Sequence, residues 1–386
     1  MRINCTTVAV LASILVLALI LCLDHSIVRS SRSVRQIVEP SHTKERTDIF
    51  FLKTHKCASS TVQNILMRFG YRRHLDFVLP LSGNYIGHPK KFNRLKIAPK
   101  MRSPSRTYNI FTHHTRYDHT ETKAVMKDGA AFVTILREPV ALFESLYQFY
   151  NLGKTTNLTI VQLANVFLNQ SSATNNFTAA NLTRSADQRL GLNQMSFDLG
   201  FDDKTDVDEF IRNVDFEFDL VMMTEHMEAS LILLRHLMNW PLENVVFLSL
   251  NTRQSARKAN LSQIQKNVLL RLNSIDTRLY DYFLDKFKKR IRDFGEDRMK
   301  SEVENLLNAN SQLWSRCVDK ANNKGYAGTL GYDLRNIVDY NCFYSAKQEL
   351  SFTDEIRNDQ IRRFSVMAKL DKLMSKRGDK IEREIK

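Results

Sequence analysis

The sequence predicts an α/β domain built around a mostly parallel β-sheet. Two short apolar runs, Asp48-Ile-Phe-Phe-Leu52 and Ala130-Ala-Phe-Val-Thr-Ile-Leu136, have the length and continuity of buried strands. Each is followed within a few residues by a stretch of helical period, Val62–Phe69 and Val140–Tyr150. Further strand candidates, Tyr108–Phe111, Phe218–Met223 and Asn244–Leu250, alternate with helical patterns at Glu228–Met238, 262–273 and 277–315. Strands alternating with helices imply crossover connections.

In chain order, Cys5–Leu23 comes first: 19 uncharged residues rich in Leu, Ile, Val and Ala. At about 1.5 Å per residue the run is just long enough to cross a bilayer core. It exceeds a signal-peptide core of about 7–15 residues and no clean small-residue cleavage site comes after it, so residues 1–23 read as a retained signal-anchor. Flanking charge does not set its orientation, with Arg2 before the run and Arg29, Arg32 and Arg35 after it. Acceptor sites for N-glycosylation at Asn157, Asn169, Asn176, Asn181 and Asn260 argue that the chain beyond the anchor is lumenal. Residues 24–46 are polar and read as a stem, 47–345 as the domain, and 346–386 as a charged helical or disordered tail. Within the domain, Gly70 is the expected stop of the first helix. Residues 71–107 read as an irregular excursion and 151–185, rich in Asn and Thr, as an exposed insertion.

The 386 residues are 43% hydrophobic and 25% charged, which excludes a disordered chain and a multi-span membrane protein. A net charge of +14 suggests an anionic partner. Zinc-finger spacing, an RNP-type motif and a basic zipper are all missing, so nucleic acid is not expected. The five cysteines form no CxxC or Cys/His cluster, and no metal site is expected. In an oxidising lumen Cys317 and Cys342 could pair, leaving Cys57 free.

Two segments carry chemistry. Lys53-Thr-His-Lys-Cys-Ala-Ser-Ser-Thr61 joins the first strand to the first helix. Backbone N–H groups and a helix N-terminus there favour an anion, and Lys53, Lys56, Ser59, Ser60 and Thr61 add ammonium and hydroxyl groups. The Walker pattern is absent; the plainer alternative is a capped helix start, with Ser59 or Ser60 as N-cap. In Ile135-Leu-Arg-Glu-Pro-Val-Ala-Leu-Phe-Glu-Ser145, Arg137 follows a strand and could grip a phosphate bidentately. Its plainer alternative is a turn arginine paired with Glu138 or Glu144.

Together these segments resemble the galactose-3-O-sulfotransferase group, which includes galactosylceramide sulfotransferases. Thr112-His-His-Thr-Arg-Tyr117, Asp198-Leu-Gly-Phe-Asp202, Phe294-Gly-Glu-Asp-Arg-Met299 and Leu330-Gly-Tyr-Asp-Leu334 agree in order. The resemblance implies a P-loop-like fold, a Golgi type II location, 3′-phosphoadenosine-5′-phosphosulfate as sulfuryl donor and a galactose 3-hydroxyl on a glycolipid or glycoprotein as acceptor. It also implies that Lys53, Thr54, Lys56, Cys57, Ala58, Ser59, Ser60 and Thr61 hold the 5′-phosphosulfate, and Arg137 and Ser145 the 3′-phosphate. Related loops often carry Gly near Ala58. Lys56 is expected to stabilise the departing nucleotide. The acceptor hydroxyl needs a general base, for which His114, then His55, then His113 are candidates, with Glu144 a carboxylate alternative. No metal is required. The competing readings are a Golgi glycosyltransferase, for which Asp206-Val-Asp208 is the one D-x-D and looks more like a helix cap, and a non-catalytic glycan-binding protein. Oligomeric state is not legible.

Overall fold

The computed structural model describes residues 44–168, 191–249, 259–325 and 329–385. The expected anchor and most of the stem lie outside them, as do the acceptor sites at Asn169, Asn176 and Asn181. No helix among the described residues is long and apolar enough to cross a membrane.

The sheet has five parallel strands in the order β2-β3-β1-β4-β5. They are β1 (Ile49–Leu52), β2 (Phe77–Val78), β3 (Ile110–Phe111), β4 (Ala131–Leu136) and β5 (Leu220–Met223). Each β1 side chain is fully buried, as expected of a central strand with helices on both faces. From β1 the chain crosses to β2 on one side; from β4 it crosses to β5 on the other. Between the carboxyl ends of β1 and β4 the order therefore diverges, which is where open α/β sheets bind ligands.

Helix α1 (Ser59–Arg72) follows β1, α2 (His119–Val125) precedes β4, and α3 (Pro139–Phe149) follows β4. Gly70 does not stop α1, which runs on to Arg72. A Cβ at Gly70 would lie 2.4 Å from both Ile110 and Phe77, so glycine here permits close packing on β3 and β2. Within the excursion 71–107, β2 adds a strand too short to show a pattern. The start of the expected exposed insertion is helical, α4 (Ile160–Leu168), and buries Ile160, Leu163 and Ala164.

Then come α5 (Gln194–Asp198), α6 (Val207–Glu217) and α7 (Met227–Met238). The expected strand over 244–250 is not formed among the described residues: a short 3-10 turn, Leu242–Asn244, leads into irregular backbone. Val245, Phe247 and Leu248 are buried, which explains the apolar run. Side chains replace the ladder, the Arg68 guanidinium donating to Val246 O at 2.6 Å and the Phe247 N–H to Asn310 Oδ1 at 2.9 Å.

Helix α8 spans Gln263–Leu272. The long helical stretch expected over 277–315 is broken at Gly295 (φ 98°) into α9 (Ser274–Phe294) and α10 (Glu296–Cys317). A hairpin, β6 (Val318–Asn322) with β7 (Gly331–Leu334), comes next, then α11 (Tyr340–Ala346) and α12 (Glu349–Ile385). Cys317 and Cys342 form a disulfide across the hairpin, and Cys57 is free and buried. The segment set apart as a tail from 346 is helical, but its first turns belong to the domain, with Phe352, Thr353, Ile356 and Gln360 buried.

Candidate active site

The loop from Lys53 to Ala58 leaves the carboxyl end of β1 and opens α1. Lys56 (φ 56°) and Ala58 (φ 54°) are both left-handed, a conformation costing about 1–2 kcal/mol per non-glycine residue. Ala58 is the N-cap of α1 and offers no side-chain bond, and the first turn holds no acid. The N-terminus of α1 is thus left with its own positive polarity.

The loop is held by its carbonyls. His114 Nδ1 lies 2.8 Å from Lys53 O, Ser59 Oγ donates to Thr54 O at 2.7 Å, and the Cys57 thiol donates to His55 O at 3.3 Å. Arg137 Nη1 donates to Lys56 O at 2.8 Å, and the Thr224 hydroxyl lies 2.9 Å from both Cys57 O and Leu136 O. Peptide planarity turns each following N–H to the opposite edge. One of these, His55 N–H, donates to Asp198 at 2.8 Å.

The two chemistry-bearing segments therefore meet. Arg137 reaches back to the loop, while Lys56 Nζ sits 3.5 Å from the centre of the Phe149 ring at the far end of α3. Among the described residues Arg137 forms no ion pair. Glu138 instead caps α3 through the N–H groups of Val140 and Ala141, and Glu144 accepts from Gln148 and the Ala259 N–H. Ser145 is buried two turns into α3.

The side chains of the loop sort differently from the expected row of anion ligands. The Thr54 hydroxyl donates to Ile135 O at 2.6 Å, joining β1 to β4, and that of Ser59 closes the loop on itself. Lys53 is 2% exposed and its ammonium lies 2.6 and 2.7 Å from the Glu349 carboxylate, which also accepts from Asn84 and Ser60. Burial lowers the Lys53 pKa while Glu349 opposes that shift. Burial pushes Glu349 up, but Lys53 and Asn84 outweigh it and hold the carboxyl below its ordinary value. Thr61 is buried and its N–H returns to Ala58 O. Burial pushes the Cys57 thiol up, away from the thiolate form a nucleophile needs. Those side chains serve the fold, so an anion at this loop meets backbone N–H groups, with Lys56 and Arg137 alongside.

Three rings stack beside the loop: His55 on His114 with centroids 4.3 Å apart, and Tyr85 on His114 at 5.0 Å. A carbonyl cannot donate, so His114 carries its proton on Nδ1, and Nε2 is a lone pair with no partner among the described residues. Burial, with Lys53 and His55 adding to it, holds the His114 pKa well below its ordinary value, which keeps the ring neutral. His55 Nδ1 faces the Asp198 carboxylate at 2.8 Å, and its Nε2 lies 3.1 Å from the Tyr85 hydroxyl. His113 points away, bonded to Thr353 at 3.0 Å, with burial lowering its pKa to about 3.

His55, His88 and Asp198 bring ligand atoms within 4.8 Å of one another. Asp198, though, already accepts from the His55 N–H, the His55 ring and Gln194 Nε2. Asp206 caps α6 by accepting from Glu209 N–H and Asp208 pairs with Arg278, so that D-x-D serves a helix start. Sequence reasoning missed Asp198, Tyr85 and Glu349. Asp198 had a signal, as one of two acids bracketing Leu, Gly and Phe in that block; Glu349 had none.

A galactose-3-O-sulfotransferase family model matches residues 3–334. Galactosylceramide sulfotransferase from Mus musculus is 34% identical over 290 residues, covering 71% of this chain and 64% of the mouse protein. Galactose-3-O-sulfotransferase 2 from Sus scrofa is 32% identical over 341 residues, 81% of this chain and 84% of the pig protein. Galactose-3-O-sulfotransferase 3 from Bos taurus is 33% identical over 293 residues, 72% of this chain and 65% of the bovine protein. With the β1 loop bonded to Arg137 and the family model spanning most of its length, the chain belongs to the galactose-3-O-sulfotransferase family.

Proposed function

We propose that the chain transfers a sulfuryl group from 3′-phosphoadenosine-5′-phosphosulfate to the 3-hydroxyl of galactose on a glycolipid or glycoprotein. The observation that carries this reading is the 2.8 Å bond from Arg137 Nη1 to Lys56 O, which puts a phosphate-gripping fork beside a helix N-terminus with no acid in its first turn. The loop N–H groups and Lys56 would hold the phosphosulfate, and Arg137 with Ser145 the 3′-phosphate. The donor supplies the sulfuryl group and leaves as adenosine 3′,5′-bisphosphate when its S–O bond to phosphate breaks. His114 Nε2 takes the proton of the attacking hydroxyl, and Lys56 balances charge on the departing phosphate. Asp198 holds His55, and His55 and Tyr85 hold the ring stack in which His114 sits. Fixed positive charge and positioning supply the rate, as in phosphoryl transfer.

The location belongs to the same proposal: a Golgi membrane protein, single-pass type II, with the domain in the lumen. The apolar run 5–23, exposed acceptor asparagines at Asn157 and Asn260, and the Cys317–Cys342 disulfide support it. Radiolabelled sulfate transfer from the donor to a panel of galactosides, with the full chain and a Lys56→Ala control, tests the activity. Wild type labels galactosides and the control does not; equal failure of both would remove the enzyme reading.

A further inference from the structure

Beyond the loop, one face of α1 borders a cleft that none of these roles uses. Ser60, Gln63, Asn64 and Met67 recur at helical spacing along one wall. Tyr332 of the β6–β7 hairpin and Lys347 between α11 and α12 form part of the other. The cleft is open at its mouth and its interior holds about 140 Å³, room for a flat ring rather than a whole nucleotide.

Its wall contains an unpaired group. Gln63 is 1% exposed, and both Oε1 and Nε2 of its amide are buried without a hydrogen-bond partner. A buried amide left unpaired is costly. The adjacent Asn64 shows what a structural amide does here: Nδ2 donates to Tyr344 O at 2.9 Å, and Oδ1 accepts from Arg68 at 2.9 Å. Gln63 holds nothing together, so its bonding capacity is available to a ligand in the cleft.

We propose that Gln63 reads the base of an adenine nucleotide, which deepens and rests on the donor reading above. A carboxamide presents one acceptor beside one donor. Adenine offers the complement on one edge, the N6 amine beside the N7 lone pair, whereas guanine offers two acceptors, O6 and N7, on that edge. Gln63 Oε1 accepts from N6–H and Nε2 donates to N7. Gln63 stands three residues, about 4.5 Å, along α1 from Ser60 and on the same face. A nucleotide whose 5′-phosphate meets the start of α1 and whose base lies along this face brings that base to the amide.

The test is calorimetric binding of adenosine 3′,5′-bisphosphate and guanosine 3′,5′-bisphosphate to the full chain, to Gln63→Leu and to Gln63→Met. Both variants are expected to fold, because each removes an amide with no bond to lose. Wild type is expected to favour the adenosine form by about tenfold or more. In both variants that preference collapses through weaker adenosine binding, while guanosine binding is unchanged. Binding of both nucleotides at the same ratio in wild type and variants overturns the role of Gln63 and leaves the phosphate loop standing. Failure of wild type to bind either nucleotide overturns the donor reading, and this inference with it.

Discussion

Glu349→Ala removes the carboxylate that holds Lys53, and its consequences can be worked from the geometry. The two side chains are 2% and 13% exposed and meet at 2.6 Å, so the change strands an ammonium in the interior. Removing one partner of such a pair costs about 3–5 kcal/mol. For the unit Lys44–Lys386, unfolding entropy of about 2.1 cal/mol/K per residue totals about 0.7 kcal/mol/K, giving a loss of about 4–7 °C in Tm. Burial lowers the Lys53 pKa in the fold. Above that pKa and below the unfolded one, the unfolded chain binds more protons, so stability rises with pH. The deficit of Glu349→Ala therefore shrinks as pH climbs toward the ordinary lysine range. Scanning calorimetry from pH 7 to 10 reads both effects. Lys53→Met combined with Glu349→Met should recover much of the loss, because it leaves no unpaired charge. A Tm shift under about 1 °C at pH 7, with no recovery in the double variant, would refute the reasoning.

Other consequences are equally specific. Ala58→Gly relieves about 1–2 kcal/mol of left-handed strain against about 0.4–1 kcal/mol of added unfolded-state entropy. It should thus raise stability by roughly 0.5–1 kcal/mol in denaturant melts. Cys317→Ser opens a disulfide joining residues 25 apart; loop-closure entropy predicts a loss of about 3.5 kcal/mol, seen as a lower midpoint that reductant produces in wild type but not in the variant. His114→Asn should cut kcat by about 10²–10⁴ with KM little changed. Because burial holds the His114 pKa well below its ordinary value, wild-type kcat/KM should stay level down through pH 6.5 and fall only in more acid solution; an acid limb at or above 6.5 would contradict that role.

Legibility in the sequence was a matter of range. β1, its loop and α1 were legible because a doubly buried strand is a continuous apolar run and a helix face repeats every three to four residues. Arg137 was legible for the same reason, standing where the β4 run ends. Periodicity failed where burial and hydrogen bonding part company: 245–248 is buried like a strand, but Arg68 and Asn310 side chains take the place of a neighbour. Gly70 looked like punctuation because glycine also ends helices, whereas the backbone approach to Ile110 and Phe77 is visible only in three dimensions. In the site, residue types were legible but their direction was not. Thr54, Ser59 and Lys53 are the polar residues a phosphate loop calls for, yet their side chains bond Ile135, Thr54 and Glu349. The partner of Lys53 lies 296 residues away, beyond any local pattern.

The central claim is that the β1 loop and Arg137 form one nucleotide site, and a double-mutant cycle on adenosine 3′,5′-bisphosphate binding tests it most directly. Lys56→Ala and Arg137→Lys should each weaken binding about tenfold or more. Together they should depart from additivity by about 0.5–3 kcal/mol, because the two cationic side chains share one bound nucleotide, while the Arg137 bond to the Lys56 carbonyl persists in Lys56→Ala. Unchanged dissociation constants in the single variants, or strictly additive losses, would contradict the account.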